Sequence, residues 1–319
     1  MGTNEKKADW NSLFEFYTQT IERFRAVGVH SAATGGIACV FYGYVSVTKD
    51  CDLVLVPNKA EQAREILART QFEGASCGYN GPHGAPLDDR WLNGGWSSHV
   101  RFGRREDDCP RMDFFSHPPR LVSWECDKEN SLCVGREALA LMKRTQRSGK
   151  DWDAVNLIGT QMVVAEGNPR GWLYIYDAGS AEQAVSCGSV ISQDIIEQRP
   201  ALELVSLGKL DEAQAIFSAE QDFWRNLDRK RMQVYVAAWR EYGKRVSQGV
   251  DFGATFRDQH DEMLLIASEC LPQQPLSSES LVGLAAACLG NVSKARGISE
   301  EMFSGDIKQA AGVEEGLKP

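Results

Sequence analysis

Asp50 and Asp52 stand two apart in Lys49-Asp50-Cys51-Asp52-Leu53-Val54-Leu55-Val56. Along a strand, residues i and i+2 share a face, so both carboxylates can meet one divalent cation. Hard oxygen ligands of this kind suit Mg²⁺. That ion favours a few carboxylates completed by water and substrate phosphate over a full protein cage, so the pair points to a phosphate-bearing substrate. Upstream, Thr34-Gly35-Gly36-Ile37-Ala38 opens a short apolar segment. Glycines at the start of a helix let phosphate oxygens approach backbone N–H groups, which serves the same chemistry. Either signal alone is common; joined by one helix and one strand they become specific.

The elements that must carry these residues are legible from periodicity. Trp10, Leu13, Phe14, Tyr17, Ile21 and Phe24 form the stripe of an amphipathic helix that packs on a sheet. Residues 38–44 read as a short apolar helix, 51–56 as a buried strand stopped by Pro57, and Asn58 as the N-cap of a helix over 59–69. The many glycines and prolines in 72–97 predict a loop region. Residues 99–102 and 111–115 alternate as two short strands separated by the charged turn 104–108. Beyond Arg136 the pattern is helical, with helices over 137–147 and 151–164 and a long helical stretch over 219–246. Gly167, Asn168, Pro169 and Gly171 cluster where a domain boundary is expected, between 165 and 180. The segment 207–213 resembles part of a tetratricopeptide unit, but no second copy follows at about 34 residues, so it reads as a plain helix pair.

Composition narrows the function classes. At 43% hydrophobic and 25% charged residues, the 319-residue chain is that of an ordinary globular protein. No apolar run reaches the roughly 20 residues of a membrane span, so a cytoplasmic protein without a membrane partner is expected. The formal net charge of −9 is carried by 151–319, while 1–150 is nearly balanced. A long polyanion is therefore a poor partner for the C-terminal part. Nine scattered cysteines suggest neither a disulfide framework nor a zinc knuckle, and the five histidines show no metal-ligand spacing. Trp91 and Trp96 are candidates for stacking on a base or for covering a core edge, and His99 and Arg101 for facing the site from their strand.

The order Gly-Gly, helix, then Thr48-x-Asp50-x-Asp52 at the head of an apolar strand resembles the nucleotidyltransferase fold of the polymerase-beta superfamily. It is closest to the bacterial branch of abortive-infection-type nucleotidyltransferases. The resemblance covers 31–56 closely and extends loosely to about residue 165. It implies a short mixed sheet flanked by helices, with Gly35 and Gly36 holding a triphosphate and Asp50 and Asp52 binding Mg²⁺ or Mn²⁺. It also implies a third carboxylate, best matched by Asp113, acting as base toward an acceptor hydroxyl or as a metal ligand; Asp107 and Asp108 match less well. Lys143 matches a phosphate-reaching lysine, and Lys150 and Asp151 a pair that locks two helices together. Many members have Gly-Ser where this chain has Gly35-Gly36, and an arginine where it has Ser46.

The expected protein thus has an α/β (α+β) fold. A nucleotidyltransferase-like domain occupies 1–170, its small mixed sheet flanked by helices, and a mostly helical, acidic domain occupies 171–319. The expected reaction moves a nucleoside monophosphate from a nucleoside triphosphate, ATP foremost, to an acceptor hydroxyl with release of pyrophosphate. The acidic half favours a cationic small molecule over RNA as acceptor. The alternative is a nucleotide-binding or protein-interaction module that has lost transfer, with a protein partner at the helical part.

Overall fold

The computed structural model describes residues 10–45, 48–103, 109–118, 121, 123–127, 131–145 and 149–313. The chain forms two compact units, Met1–Met142 with Tyr235–Pro275 and Lys143–Val234 with Leu276–Pro319. The sequence reading divides the chain at about residue 170; these units instead interleave along it.

The first unit is mixed α/β, built on a six-stranded sheet. Its elements run α1 (Trp10–Ala26), β1 (Ser31–Thr34), α2 (Gly35–Phe41), β2 (Asp50–Leu55), α3 (Ala60–Leu67), β3 (Gln71–Phe72), β4 (Ala75–Gly84), α4 (Asp89–Leu92), β5 (Ser98–Phe102), β6 (Arg111–Phe115) and α5 (Arg136–Lys143). The strand order is β1-β2-β6-β5-β4-β3, with β2 and β6 parallel and the other neighbours antiparallel. Leu13, Phe16, Tyr17, Ile21 and Phe24 form the buried stripe of α1. Phe16 meets Phe102 edge-on at 4.7 Å between ring centres, and Phe24 meets Phe114 at 6.1 Å. This helix therefore covers the face bearing Phe102, Met112 and Phe114, and strand alternation turns Arg101, Arg111 and Asp113 to the other face.

Three local expectations are corrected. The helix read at 38–44 starts at Gly35 and ends at Phe41. Asn58 is not the cap of α3: it adopts a positive φ of 64°, and the carboxylate of Asp89 accepts from the N–H groups of Lys59 and Ala60 at 3.2 and 3.1 Å. The region 72–97 is not a loop, since it contains the ten-residue β4. Gly78 is tolerated because a neighbour fills its space, a Cβ there lying 3.2 Å from Gln259 Nε2, and the register shifts between Tyr79 and Gly84. The Tyr79 N–H donates to Gln259 Oε1 at 2.8 Å, and the Tyr79 hydroxyl lies 2.7 Å from His260 Nδ1. Burial pushes the His260 imidazole down to about 3, which keeps it neutral.

The second unit is helical. Its core joins α6 (Gly149–Val164), the 3₁₀ turn Pro169–Tyr174 and the helices that follow, around Trp172, Ile175, Leu202 and Phe217. The glycine and proline cluster read as a boundary is a packed turn: a Cβ on Gly171 would sit 2.5 Å from the Gly159 carbonyl oxygen. The expected long helix runs from Leu210 to Gly249, its residues up to Val234 in this unit and those from Tyr235 on in the first. Among the described residues, no helix is long and apolar enough to cross a membrane. All nine cysteines are free, and five are buried.

Candidate active site

Strand register brings the sequence-predicted aspartates side by side. In the parallel pair β2/β6, Asp52 stands opposite Asp113 and Asp50 opposite Arg111. Across β5/β6, Asp113 faces His99 and Arg111 faces Arg101; across β1/β2, Thr34 faces Asp52. The sheet thus carries one row, Asp52, Asp113 and His99, beside a second, Asp50, Arg111 and Arg101, on the face opposite α1.

The two glycines are explained by their neighbours. Gly35 has φ +59°, and a Cβ there would overlap Asp52 Oδ2 and lie 2.7 Å from its Cγ. A Cβ on Gly36 would lie 2.5 Å from Thr48 Oγ1. The turn into α2 thus lies directly against the Asp52 carboxylate and the Thr48 hydroxyl, which only side-chain-free residues allow.

Asp50 is half-buried and electrostatically strained. Its Oδ1 is buried with no hydrogen-bond partner among the described residues. Desolvation, and next the charge of Asp113, raise its carboxyl above the ordinary range against the pull of Arg111, His99 and Lys49. An orphaned carboxylate oxygen is the kind of group a cation satisfies. Folding opposes ionisation here: a raised folded-state pKa makes the charged form destabilising, fully above the raised value and not at all below the ordinary one. Asp50→Asn should therefore raise the melting midpoint at pH 7 by about 1–4 °C, a gain that fades on acidification. A lower midpoint at pH 7 would show that Arg111 and His99 outweigh the desolvation.

Asp113 is held differently. Its Oδ1 lies 2.6 Å from His99 Nδ1, while His99 Nε2 lies 2.9 Å from Ser97 Oγ. Among the described residues, no group of three or more His, Cys, Asp or Glu side chains is gathered as a metal cage. Asp50 and Asp52 share one face of β2, the Asp50 Oδ1 without a partner among the described residues, while Asp113 is engaged by His99.

Sequence reasoning missed Tyr17 as a positioning group. Its hydroxyl donates to the Lys49 carbonyl at 2.6 Å and accepts from the Arg111 N–H at 3.1 Å, tying the head of β2 to the head of β6 where Asp50 and Arg111 pair. Burial raises its ionisation, so it stays a neutral phenol. The available signal was a phenol on an otherwise apolar stripe.

The other candidates lie elsewhere. Lys143 belongs to the second unit, where its Nζ pairs with Asp151 Oδ1 at 2.9 Å and Thr145 donates to Asp151 Oδ2 at 3.1 Å. Asp151 therefore locks the end of α5 to the first turn of α6, while Lys150 is exposed. Trp91 and Trp96 are buried, their indoles donating to the Leu271 and Pro272 carbonyls, so they cover core rather than offering a stacking surface. A groove of about 610 Å³ beside Arg69, Ser76, Thr255 and Arg257 contains none of the predicted residues. Ser46, Asp107 and Asp108 lie outside the described residues. Compared with protein families, curated proteins and solved structures, the chain matches none.

Proposed function

We propose that this chain is a metal-dependent nucleotidyltransferase that moves a nucleoside monophosphate from a nucleoside triphosphate to an acceptor hydroxyl, releasing pyrophosphate. The observation that carries the reading is one juxtaposition: Asp52 is paired with Asp113 across parallel strands and pressed against the glycine turn at Gly35. The sequence resemblance to polymerase-beta-type nucleotidyltransferases supports it from the motif side.

Asp50 and Asp52 are the residues that would hold Mg²⁺ or Mn²⁺, and such an ion supplies charge neutralisation for the phosphates and the departing pyrophosphate. The Gly35-Gly36 turn lets the Asp52 carboxylate and the Thr48 hydroxyl lie directly against the start of α2, whose backbone N–H groups would meet the triphosphate. Asp113 acts on the acceptor side, through the imidazole it orients. Asp50, Asp52, Asp113, His99 and the Gly35-Gly36 turn all belong to the first unit, whereas Lys143 belongs to the second and pairs there with Asp151.

The test needs no knowledge of the acceptor. Wild type and Asp52→Asn are melted with each ribonucleoside triphosphate, with and without Mg²⁺. A specific ligand at 100 times its Kd adds about 2.7 kcal/mol to stability. The expected result is a Mg²⁺-dependent rise with one nucleotide, ATP foremost, that the variant loses. No rise with any nucleotide would overturn the proposal, and a rise without pyrophosphate release on addition of acceptors would favour the binding-module reading.

A further inference from the structure

From the hydrogen-bonded chain Ser97, His99, Asp113 we infer that Ser97 is itself a nucleotide acceptor: the protein nucleotidylates its own Ser97 hydroxyl. The inference rests on the nucleotidyltransferase reading and goes beyond it by naming an acceptor.

The proton positions follow from the donor inventory. An ionised Asp113 only accepts, so the proton at its 2.6 Å contact is on His99 Nδ1. In its neutral form His99 then presents a lone pair at Nε2, 2.9 Å from Ser97 Oγ, placed to accept the hydroxyl proton. A carboxylate that orients an imidazole, which in turn takes the proton of a hydroxyl, is the arrangement that activates a serine oxygen. Burial does not force the contact, because Ser97 is partly exposed and has water available.

The surrounding chain keeps the arrangement in place. The Ala85 N–H donates to the Ser97 carbonyl at 2.8 Å, fixing the backbone from which Oγ projects. A Cβ on Gly84 would lie 2.6 Å from His99 Cδ2 and would overlap the Ser97 carbonyl oxygen, so the end of β4 leaves room for the ring. His99, Asp113 and Asp52 lie in one row across three adjacent strands. Two strand spacings, about 10 Å, separate His99 from Asp52 on the same face, comparable with the span of a bound triphosphate.

The step balances with the nucleoside triphosphate as co-reactant. Ser97 Oγ attacks the α-phosphorus, the Oγ–Pα bond forms as the bond from Pα to the bridging oxygen breaks, and pyrophosphate leaves. The hydroxyl proton passes to His99 Nε2. The product is a nucleoside monophosphate ester on Ser97.

The experiment incubates the full chain with Mg²⁺ and each α-labelled nucleoside triphosphate, then maps the label by peptide mass spectrometry. The expected result is one nucleoside monophosphate on the peptide bearing Ser97. Ser97→Ala should lose that label while retaining the Mg²⁺-dependent melting shift, and Ser97→Thr, which keeps a hydroxyl, should still acquire it. His99→Ala should label about 10²–10⁴-fold more slowly and recover in part with added imidazole, which a merely structural role would not produce. An unlabelled wild type that still shows the melting shift would overturn the proposal and leave the nucleotidyltransferase reading standing. Label at a different residue, or undiminished in Ser97→Ala, would also overturn it. Absence of both label and melting shift would remove the proposal together with the reading beneath it.

Discussion

Gly35→Ala should abolish the Mg²⁺-dependent nucleotide shift and lower the stability of the protein, whereas Gly43→Ala should lower stability alone. Both glycines have positive φ, +59° and +74°, which costs an L-residue about 1–2 kcal/mol. Nothing lies within 4 Å of a Cβ on Gly43, so that variant pays only the backbone cost. At Gly35 the new methyl meets Asp52 along its whole length, down to its Cβ at 3.0 Å, so rotation of the carboxylate alone cannot clear the overlap. Either β2 moves away from α2 or Asp52 leaves its place opposite Asp113, and both disperse the row. Melting curves with and without Mg²⁺ and nucleotide separate the two costs. A Gly35→Ala variant that still responds to nucleotide would show that Asp52 is not where the triphosphate binds.

Arg199→Met should destabilise the second unit by about 3–5 kcal/mol, because it leaves a buried carboxylate without its cation. Arg199 and Glu220 are both fully buried. Nε and Nη2 of Arg199 donate to Glu220 Oε2 at 3.0 and 2.6 Å, and Nη1 donates to the carbonyls of Trp172 and Ile175. The guanidinium also stacks over Tyr176 and Phe217 at 4.1 and 4.5 Å. Desolvation raises the Glu220 carboxyl, and Arg199 opposes that rise. Urea unfolding followed by far-UV circular dichroism should show Arg199→Met to be less stable than the double variant Arg199→Met with Glu220→Met, which removes both charges and keeps the volume. Additive losses would mean that the ion pair is not what holds this corner together.

The parts legible in the sequence are those where a face is repeated. The α1 stripe, the alternation in β5 and β6 and the long helix from Leu210 repeat a period over enough residues to outweigh local exceptions. Asp50 and Asp52 were legible as a pair because strand geometry alone puts i and i+2 on one face. The misread parts are those where a distant group answers a local signal. Gly78 and Gly84 read as breakers, yet Gln259 and His99 occupy the space their missing side chains leave. Asn58 read as a cap, yet the α3 amides are met by Asp89, thirty residues on. Gly171 read as a linker, yet it lets a 3₁₀ turn pack onto α6 at Gly159.

The sequence by itself determined which side chains could do chemistry, and which elements carry them, because residue type and periodicity are local properties. Only the tertiary structure decided which of them meet. Asp113 joins Asp52 because β6 adds in parallel beside β2, and it turns toward His99 because β5 pairs with it in one register. Register and long-range pairing depend on residues far apart in the chain, so no window of sequence contains them.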